Sequence, residues 1–394
     1  MRKTTFALLA TACALPTVAL SATAASAAAF TPGDVVVYRV GDGTASLVNT
    51  GNAVFLDEYT PAGALVQSVA LPTAAAGAQA SCIASGTATS EGLLTLSGDG
   101  HYLLATCYGA SAPTTGLAGS ASTTVPRVVA RVDSAGTVDT STALSDYASG
   151  NNPRSAVSED GTNIYVAGGA GGVRLATAGS TTSAAIETTA ANLRQLGEFG
   201  GQLYASSSSG TIRLATVGSG EPTTSGQSVT NLTGFPTTGS PYAFYLADLS
   251  ATEPGVDTAY VAEDTTGGGQ IQKYTKSGGT WALTGTVPAA AVRGLTGVTT
   301  AGSVQLYGTT GAGTATGGGA LYSFTDSTGY GAAMTGTVAT IATAAGNTAF
   351  RGVAFAPTPA TGASLPESRY AVLFPLAAVG AVGALVVTRR RRSA

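Results

Sequence analysis

Between residues 30 and 357, short runs of alternating apolar and polar residues are separated by turns rich in Gly, Asp, Asn and Ser. A period of two bounded by turn residues predicts strands joined as hairpins. VVARVDSAGTVDTSTAL (128–144) reads as two strands around DSAG, and LLTLSGDGHYLLATCY (93–108) as two around GDG. FLDEYTPAGALVQSVAL (55–71) repeats the plan around PAG. No stretch of the body sustains a capped helical period, so the body is predicted to be all-β.

One landmark recurs along these hairpins. Pro153-Arg154-Ser155-Ala156, Leu193-Arg194-Gln195-Leu196, Val292-Arg293-Gly294-Leu295 and Phe350-Arg351-Gly352-Val353 share an apolar-Arg-small/polar-apolar pattern. Each of the first three is followed by a turn and a strand such as NIYVAGG (163–169), QLYASS (202–207) or VQLYGTT (304–310). Ser90-Glu91-Gly92-Leu93 and Pro241-Tyr242-Ala243-Phe244 take the same place in two further units. Successive landmarks stand 63, 40, 48, 51 and 58 residues apart. Units of this length, with four strands each, are the pattern of a β-propeller. Six landmarks predict six blades, or seven if one irregular blade lacks the landmark. A β-sandwich is the competing all-β fold. The last landmark leaves room for one strand only. Residues 34–40, 53–60 and 64–71 supply the other three, so both ends of the body are expected to close one blade, which removes exposed sheet edges.

Charge divides the chain into three. The formal net charge is −3, but the first 27 residues carry +2, the last 26 carry +5, and residues 28–368 carry −10. An acidic body argues against a general nucleic-acid binder. Residues 1–27 read as a secretory leader: Arg2 and Lys3, an apolar stretch, then Ala25-Ser26-Ala27 as a small-x-small cleavage site. At the other end, 370–388 is uncharged and close to the length that crosses a bilayer as a helix. Four arginines follow in the 389–394 tail and place that end in the cytoplasm. Residues 28–357 form the expected ectodomain, and 358–369 a stalk.

The stalk ends in Leu365-Pro366-Glu367-Ser368-Arg369. Leader, body, LPxx motif, apolar helix and basic tail in that order resemble Gram-positive cell-wall-anchored surface proteins, whose LPXTG motif is cut by a sortase. Ser368 stands where that family has Thr, and Arg369 where it has Gly, so membrane and wall attachment both stay open. The tail is also similar to Pro-Glu-Pro sorting tails through Pro366-Glu367. The body resembles an uncharacterised group of secreted bacterial β-propeller proteins through VVYRVGDGTASL (36–47), VFLDEYTPAGALVQSVALP (54–72), SGTATSEGLLTLSGDG (85–100) and NTAFRGVAFAP (347–357). That resemblance implies fold and export, and no activity.

In a propeller the first strand of each blade lines the central channel. Glu91, Arg154, Arg194, Tyr242, Arg293 and Arg351 are therefore expected to ring its mouth. Guanidinium groups grip carboxylates and phosphates bidentately, and a mouth concentrates the field. An anionic small molecule or acidic glycan terminus is the expected ligand. The structural alternative is that each Arg holds neighbouring blades in register. Cys82 and Cys107 are the two cysteines beyond the leader, and export permits a disulfide between them. His101 is expected to pack rather than catalyse. Asp248, Glu253, Asp257, Glu263 and Asp264 offer the oxygen ligands Ca²⁺ takes, at a spacing that matches no calcium loop; no other metal or cofactor is expected. Asp57 and Glu58 fall on opposite faces of a strand. GTTGAGTATGGG (308–319) lacks the Lys of a phosphate loop and reads as a flexible loop. A surface-anchored binding or adhesion module follows, with a propeller hydrolase or lyase and a structural envelope protein as alternatives.

Overall fold

The computed structural model describes residues 27–264, 268–311 and 313–360. The leader up to Ser26, the sorting motif, the expected membrane span and the basic tail lie outside these. Among the described residues no helix is long and apolar enough to cross a membrane.

The described chain is all-β. It runs β1 (Val35–Val40), β2 (Gly51–Tyr59), β3 (Leu65–Ala70), β4 (Ile83–Ser85), β5 (Leu94–Leu96), β6 (Tyr102–Tyr108), β7 (Arg127–Asp133) and β8 (Val138–Leu144). Then come β9 (Pro153–Val157), β10 (Asn163–Gly168), β11 (Val173–Thr177), β12 (Ala184–Glu187), β13 (Leu193–Phe199), β14 (Gln202–Ser207), β15 (Leu214–Val217) and β16 (Val229–Asn231). The last third holds β17 (Pro241–Ala247), β18 (Thr258–Glu263), β19 (Gln270–Ser277), β20 (Thr280–Pro288), β21 (Val292–Thr300), β22 (Ser303–Thr310), β23 (Gly317–Gly318), β24 (Ala320–Asp326), β25 (Ala339–Thr343) and β26 (Thr348–Phe355).

Four of the sheets are separate four-stranded units: β9–β12, β13–β16, β17–β20, and β21-β22-β24-β25. The remaining ten strands hold two more such units, β26-β1-β2-β3 and β5-β6-β7-β8. β4 bridges them by pairing with both β2 and β6. The two ends of the body meet as expected: β26 pairs antiparallel with β1, Val35 opposite Phe355. Innermost strands neighbour one another around the molecule, β26 to β5, β9, β13, β17, β21 and back to β26. This is a propeller-like order, and the units are called blades below, the first being β26-β1-β2-β3.

The reason lies in the middle strands. A strand between two neighbouring sheets must be apolar on both faces, and its side chains alternate between them. In β1, Val36, Tyr38 and Val40 join the core toward the second blade, while Val35 and Val37 join the core toward the last. In β10, Ile164 and Val166 pack toward the second blade, and Tyr165 and Ala167 toward the fourth. In β18, Ala259 and Val261 face one way, and Tyr260 and Ala262 the other. Each gap between adjacent blades thus has its own core. Outer strands have one neighbour, and Leu65 and Val66 of β3 are exposed.

At the axis the inner strands approach closely. Gly352 N donates to Gly92 O at 2.9 Å. A Cβ on Gly352 would stand 2.2 Å from the Leu94 nitrogen and 2.6 Å from Gly92 O. Gly352→Ala is therefore expected to cost about 1–3 kcal/mol, the usual range for overpacking, read as a lowered urea midpoint. A midpoint equal to that of the unmodified chain would refute this account of the closure.

Cys82 and Cys107 are disulfide-bonded, with Cα atoms 5.2 Å apart. The bond ties the approach to β4 onto β6, at the join of the first two blades. Closing a loop of this size adds about 3 kcal/mol.

Asp34 is buried beside Glu58 at the seam where β1 and β26 pair. Burial first, then the Glu58 charge, pushes its carboxyl up to about 6. A carboxyl raised on folding is most favourable to the fold while protonated, below its ordinary value near 4. That advantage is lost as pH rises through about 6. Asp34→Asn is expected to raise the melting temperature at pH 7.5 and to leave it unchanged at pH 3.5. An equal shift at both would exclude titration of Asp34 as the cause.

Two expectations about loops change. Residues 308–319 are not simply a flexible loop: β22 runs through Thr310, and Gly317-Gly318 pair in parallel with Thr348-Ala349. The paired segment lies over β26 because Gly317 leaves no Cβ to strike the Thr348 backbone, and Gly319 none to strike Thr310 O of β22. The acidic residues 248–264 do not share one site. Asp257 accepts from Leu249 N and Ser250 N, Asp264 pairs with Arg293, and Glu253 accepts from Gly278 N.

Candidate functional site

The landmark residues come together. Arg154, Arg194, Tyr242 and Arg293 each stand second in an inner strand, β9, β13, β17 and β21. Arg351 is fourth in β26, and Glu91 precedes β5. Ser90 Oγ of the second blade lies 3.3 Å from the Tyr242 hydroxyl of the fifth, so opposite sides of the ring touch across the axis.

The ring is a relay from blade to blade. Glu91 is buried and accepts from Ser85 N, the Tyr108 hydroxyl at 2.9 Å, and Asn152 Nδ2 at 2.8 Å. Arg154 Nη1 donates to Asn192 Oδ1 and Leu193 O. Arg194 Nη1 does the same one blade on, to Ser240 Oγ and Pro241 O, both at 2.9 Å. The carbonyl in each case belongs to the residue just before the next landmark. The Arg194 and Arg293 guanidinium carbons lie 3.7 and 4.6 Å from the centroid of the Tyr242 ring. Arg293 pairs with Asp264 through Nε and Nη2 and gives Nη1 to Thr89 O at 2.9 Å. Arg351 reaches Phe350 O and Gly86 O.

The four arginines differ in their partners. Arg293 is neutralised by Asp264, and Arg351 faces the charge of Glu91. Arg154 and Arg194 have no ion pair among the described residues. Both are 8% exposed, and the Nε of each is buried with no acceptor. All their hydrogen bonds run through Nη1, which leaves the Nε–Nη2 edge of both without a partner among the described residues.

Electrostatics follow this asymmetry. Burial pulls the Arg194 guanidinium down to about 10; Tyr242 opposes that, and the Arg154 and Arg293 charges add to it. It is still charged at neutral pH. Burial raises the Glu91 carboxyl, against the hydrogen bonds from Asn152, Tyr108 and Ser85 and the Arg351 charge. Burial likewise raises Glu263, whose carboxylate accepts from Ser240 N and is favoured by the Arg194 and Arg213 charges.

Two features lie outside the landmark reading. Arg213, in the turn between β14 and β15, is buried near Glu263, and its Nε also lacks an acceptor. Its signal was an Arg just before the third strand of a blade, one step earlier than Arg127, which opens that strand in the second. Toward the other end of β13, ligand atoms of Glu159, Glu198 and Glu221 lie within 4.8 Å of one another. Glu198 belongs to β13 and the other two to separate loops, with no spacing to reveal them. His101 Nδ1 lies 2.9 Å from Thr358 O, a packing contact with the last described segment.

No family model and no curated protein matches the chain. Among solved structures it is similar to a periplasmic gluconolactonase from Pseudomonas aeruginosa, at 12% identity and a TM-score of 0.42, covering 79% of this chain and 82% of that one. It is also similar to hydrazine synthase from Kuenenia stuttgartiensis, at 12% identity and a TM-score of 0.36, covering 61% and 68%. The propeller-like assignment rests on the sheet order and the closed ring of inner strands, not on these likenesses.

Proposed function

We propose that this protein is an exported, surface-anchored six-bladed propeller that binds a small anionic ligand at its channel mouth, acting as a binding or adhesion module. The leader, the LPESR motif, the uncharged 370–388 segment and the arginine tail support export to the surface of a Gram-positive-type bacterium. One observation carries the ligand: Arg154 and Arg194 each keep a buried guanidinium N–H without an acceptor. An unsatisfied buried donor costs about 1–3 kcal/mol, and an anion on that edge would recover it with a charge-assisted pair. An acidic glycan terminus or an organic acid has the right chemistry.

A hydrolase or lyase would draw on Glu91 and Tyr242 as acid and base. Against it, Glu91 is occupied by Ser85, Tyr108 and Asn152, and no hydrogen bond joins it to Tyr242 among the described residues.

Calorimetric titration of the full chain with organic acids and cell-wall glycans, with product analysis, tests the reading. Saturable binding without turnover is expected. Arg154→Gln and Arg194→Gln should each weaken it at least ten-fold. Arg293→Ala, which breaks a blade-to-blade tie, should lower the melting temperature and keep binding. Turnover would favour the enzyme. No binding at all would favour a structural envelope protein.

A further inference from the structure

We infer that the ligand is a short dianion, two carboxylates on one small carbon skeleton, with one carboxylate on Arg154 and the other on Arg194. This rests on the anion-binding reading above and narrows it. The two guanidinium groups stand on neighbouring inner strands, β9 and β13, and each has the same edge unpaired. Neither can turn toward the other without breaking its anchors. Arg154 Nη1 is held at 2.5 Å by Asn192 Oδ1 and at 3.2 Å by Leu193 O. Arg194 Nη1 is held by Ser240 Oγ and Pro241 O, and its plane is pressed on the Tyr242 ring. Two fixed, planar, two-donor edges match two planar, two-acceptor groups.

Charge in this sector agrees. Arg293 is ion-paired to Asp264, whereas Arg154 and Arg194, which sense the charges of Glu91 and Asp264, make no ion pair of their own among the described residues. A monoanion on one of them would leave the buried Nε of the other without an acceptor. Asn192, which orients Arg154, is itself held by Ser208 Oγ through Nδ2 at 2.8 Å, so the cradle is supported before a ligand arrives.

The test is calorimetric titration of the full chain at low ionic strength with succinate, glutarate and adipate, against acetate and inorganic phosphate. One of the diacids should bind at least ten-fold more tightly than acetate or phosphate. Arg154→Lys and Arg194→Lys keep the charge and remove the two-donor edge. Each should reduce the diacid to about the affinity of acetate, and Arg131→Lys, at a surface ion pair with Asp139, should change nothing. Equal binding of acetate and all three diacids would overturn the two-carboxylate inference and leave the anion-binding reading standing. Tightest binding of phosphate would overturn it in the same way. Binding of none of these would overturn this inference, and absence of glycan binding as well would remove the anion reading itself. The acid series on the unmodified chain decides the matter even if a Lys variant fails to fold.

Discussion

Replacing Lys273 by Met is expected to lower stability by about 3–5 kcal/mol, the range for breaking a buried ion pair from one side. Lys273 in β19 and Asp326 at the end of β24 pair at 2.7 Å, both side chains 0% exposed. The ammonium also lies 2.6 Å from Gly329 O, 3.0 Å from Ala332 O and 3.1 Å from Thr328 Oγ1, so its three N–H groups are all taken. The Tyr260 hydroxyl donates to the same Asp326 oxygen at 2.7 Å. This knot ties the fifth blade to the sixth. Burial alone would raise Asp326, but hydrogen bonds from Lys273, Thr328 and Tyr260 hold it below the ordinary aspartate range. A carboxyl lowered on folding contributes stability above its unfolded value near 4, and that contribution fades as pH falls through the lowered value. Met at 273 leaves a buried carboxylate without its cation, so Asp326 must take up a proton or draw in water. In urea unfolding at pH 7 the single variant should lose several times what Lys273→Met/Asp326→Asn loses relative to Asp326→Asn alone. Additive losses would mean that the two side chains act independently.

Arg127→Met is expected to cost about 4 kcal/mol, at the upper end of single substitutions. Arg127 opens β7 and is wholly buried. Nε donates to Ala148 O, Nη1 to Ser120 Oγ and Val125 O, and Nη2 to Ser120 O and Asn151 O. The guanidinium carbon also sits 5.1 Å from the Tyr108 ring centroid, and the Tyr108 hydroxyl supports Glu91. One side chain thus organises the long β6–β7 connection and one corner of the ring. Lysine cannot replace this fork, because an ammonium offers three donors from a single point. Both Arg127→Met and Arg127→Lys should speed proteolytic cleavage within 109–126 and lower the urea midpoint. Cleavage at the rate of the unmodified chain would show that the connection holds itself.

Much of the fold was legible because strand chemistry is local. The DSAG, GDG and PAG turns mark hairpins, and the runs predicted at 34–40, 64–71 and 202–207 are β1, β3 and β14 within a residue at either end. The landmark register was legible too, since in four of the blades the landmark residue stands second in the inner strand. Less local features were not. β4 is three residues long and joins two blades by pairing with both, which no turn signal announces. Gly317-Gly318 pair with β26 because a missing Cβ lets two backbones meet, and a glycine run reads equally well as loop.

By itself the sequence determined that this body is strands and turns, that its units repeat, and that its two ends complete one blade. Those properties belong to residue type and period, and each residue carries them wherever it sits. The tertiary structure alone decided which guanidinium groups are spoken for. Arg154, Arg194, Arg293 and Arg351 look equivalent along the chain. They differ because Asp264 reaches Arg293, carbonyls take both Nη1 and Nη2 of Arg351, and neighbouring acceptors take only Nη1 of the other two. A hydrogen bond needs a partner within about 3 Å and in line. Whether one is there depends on what the other blades bring to the axis.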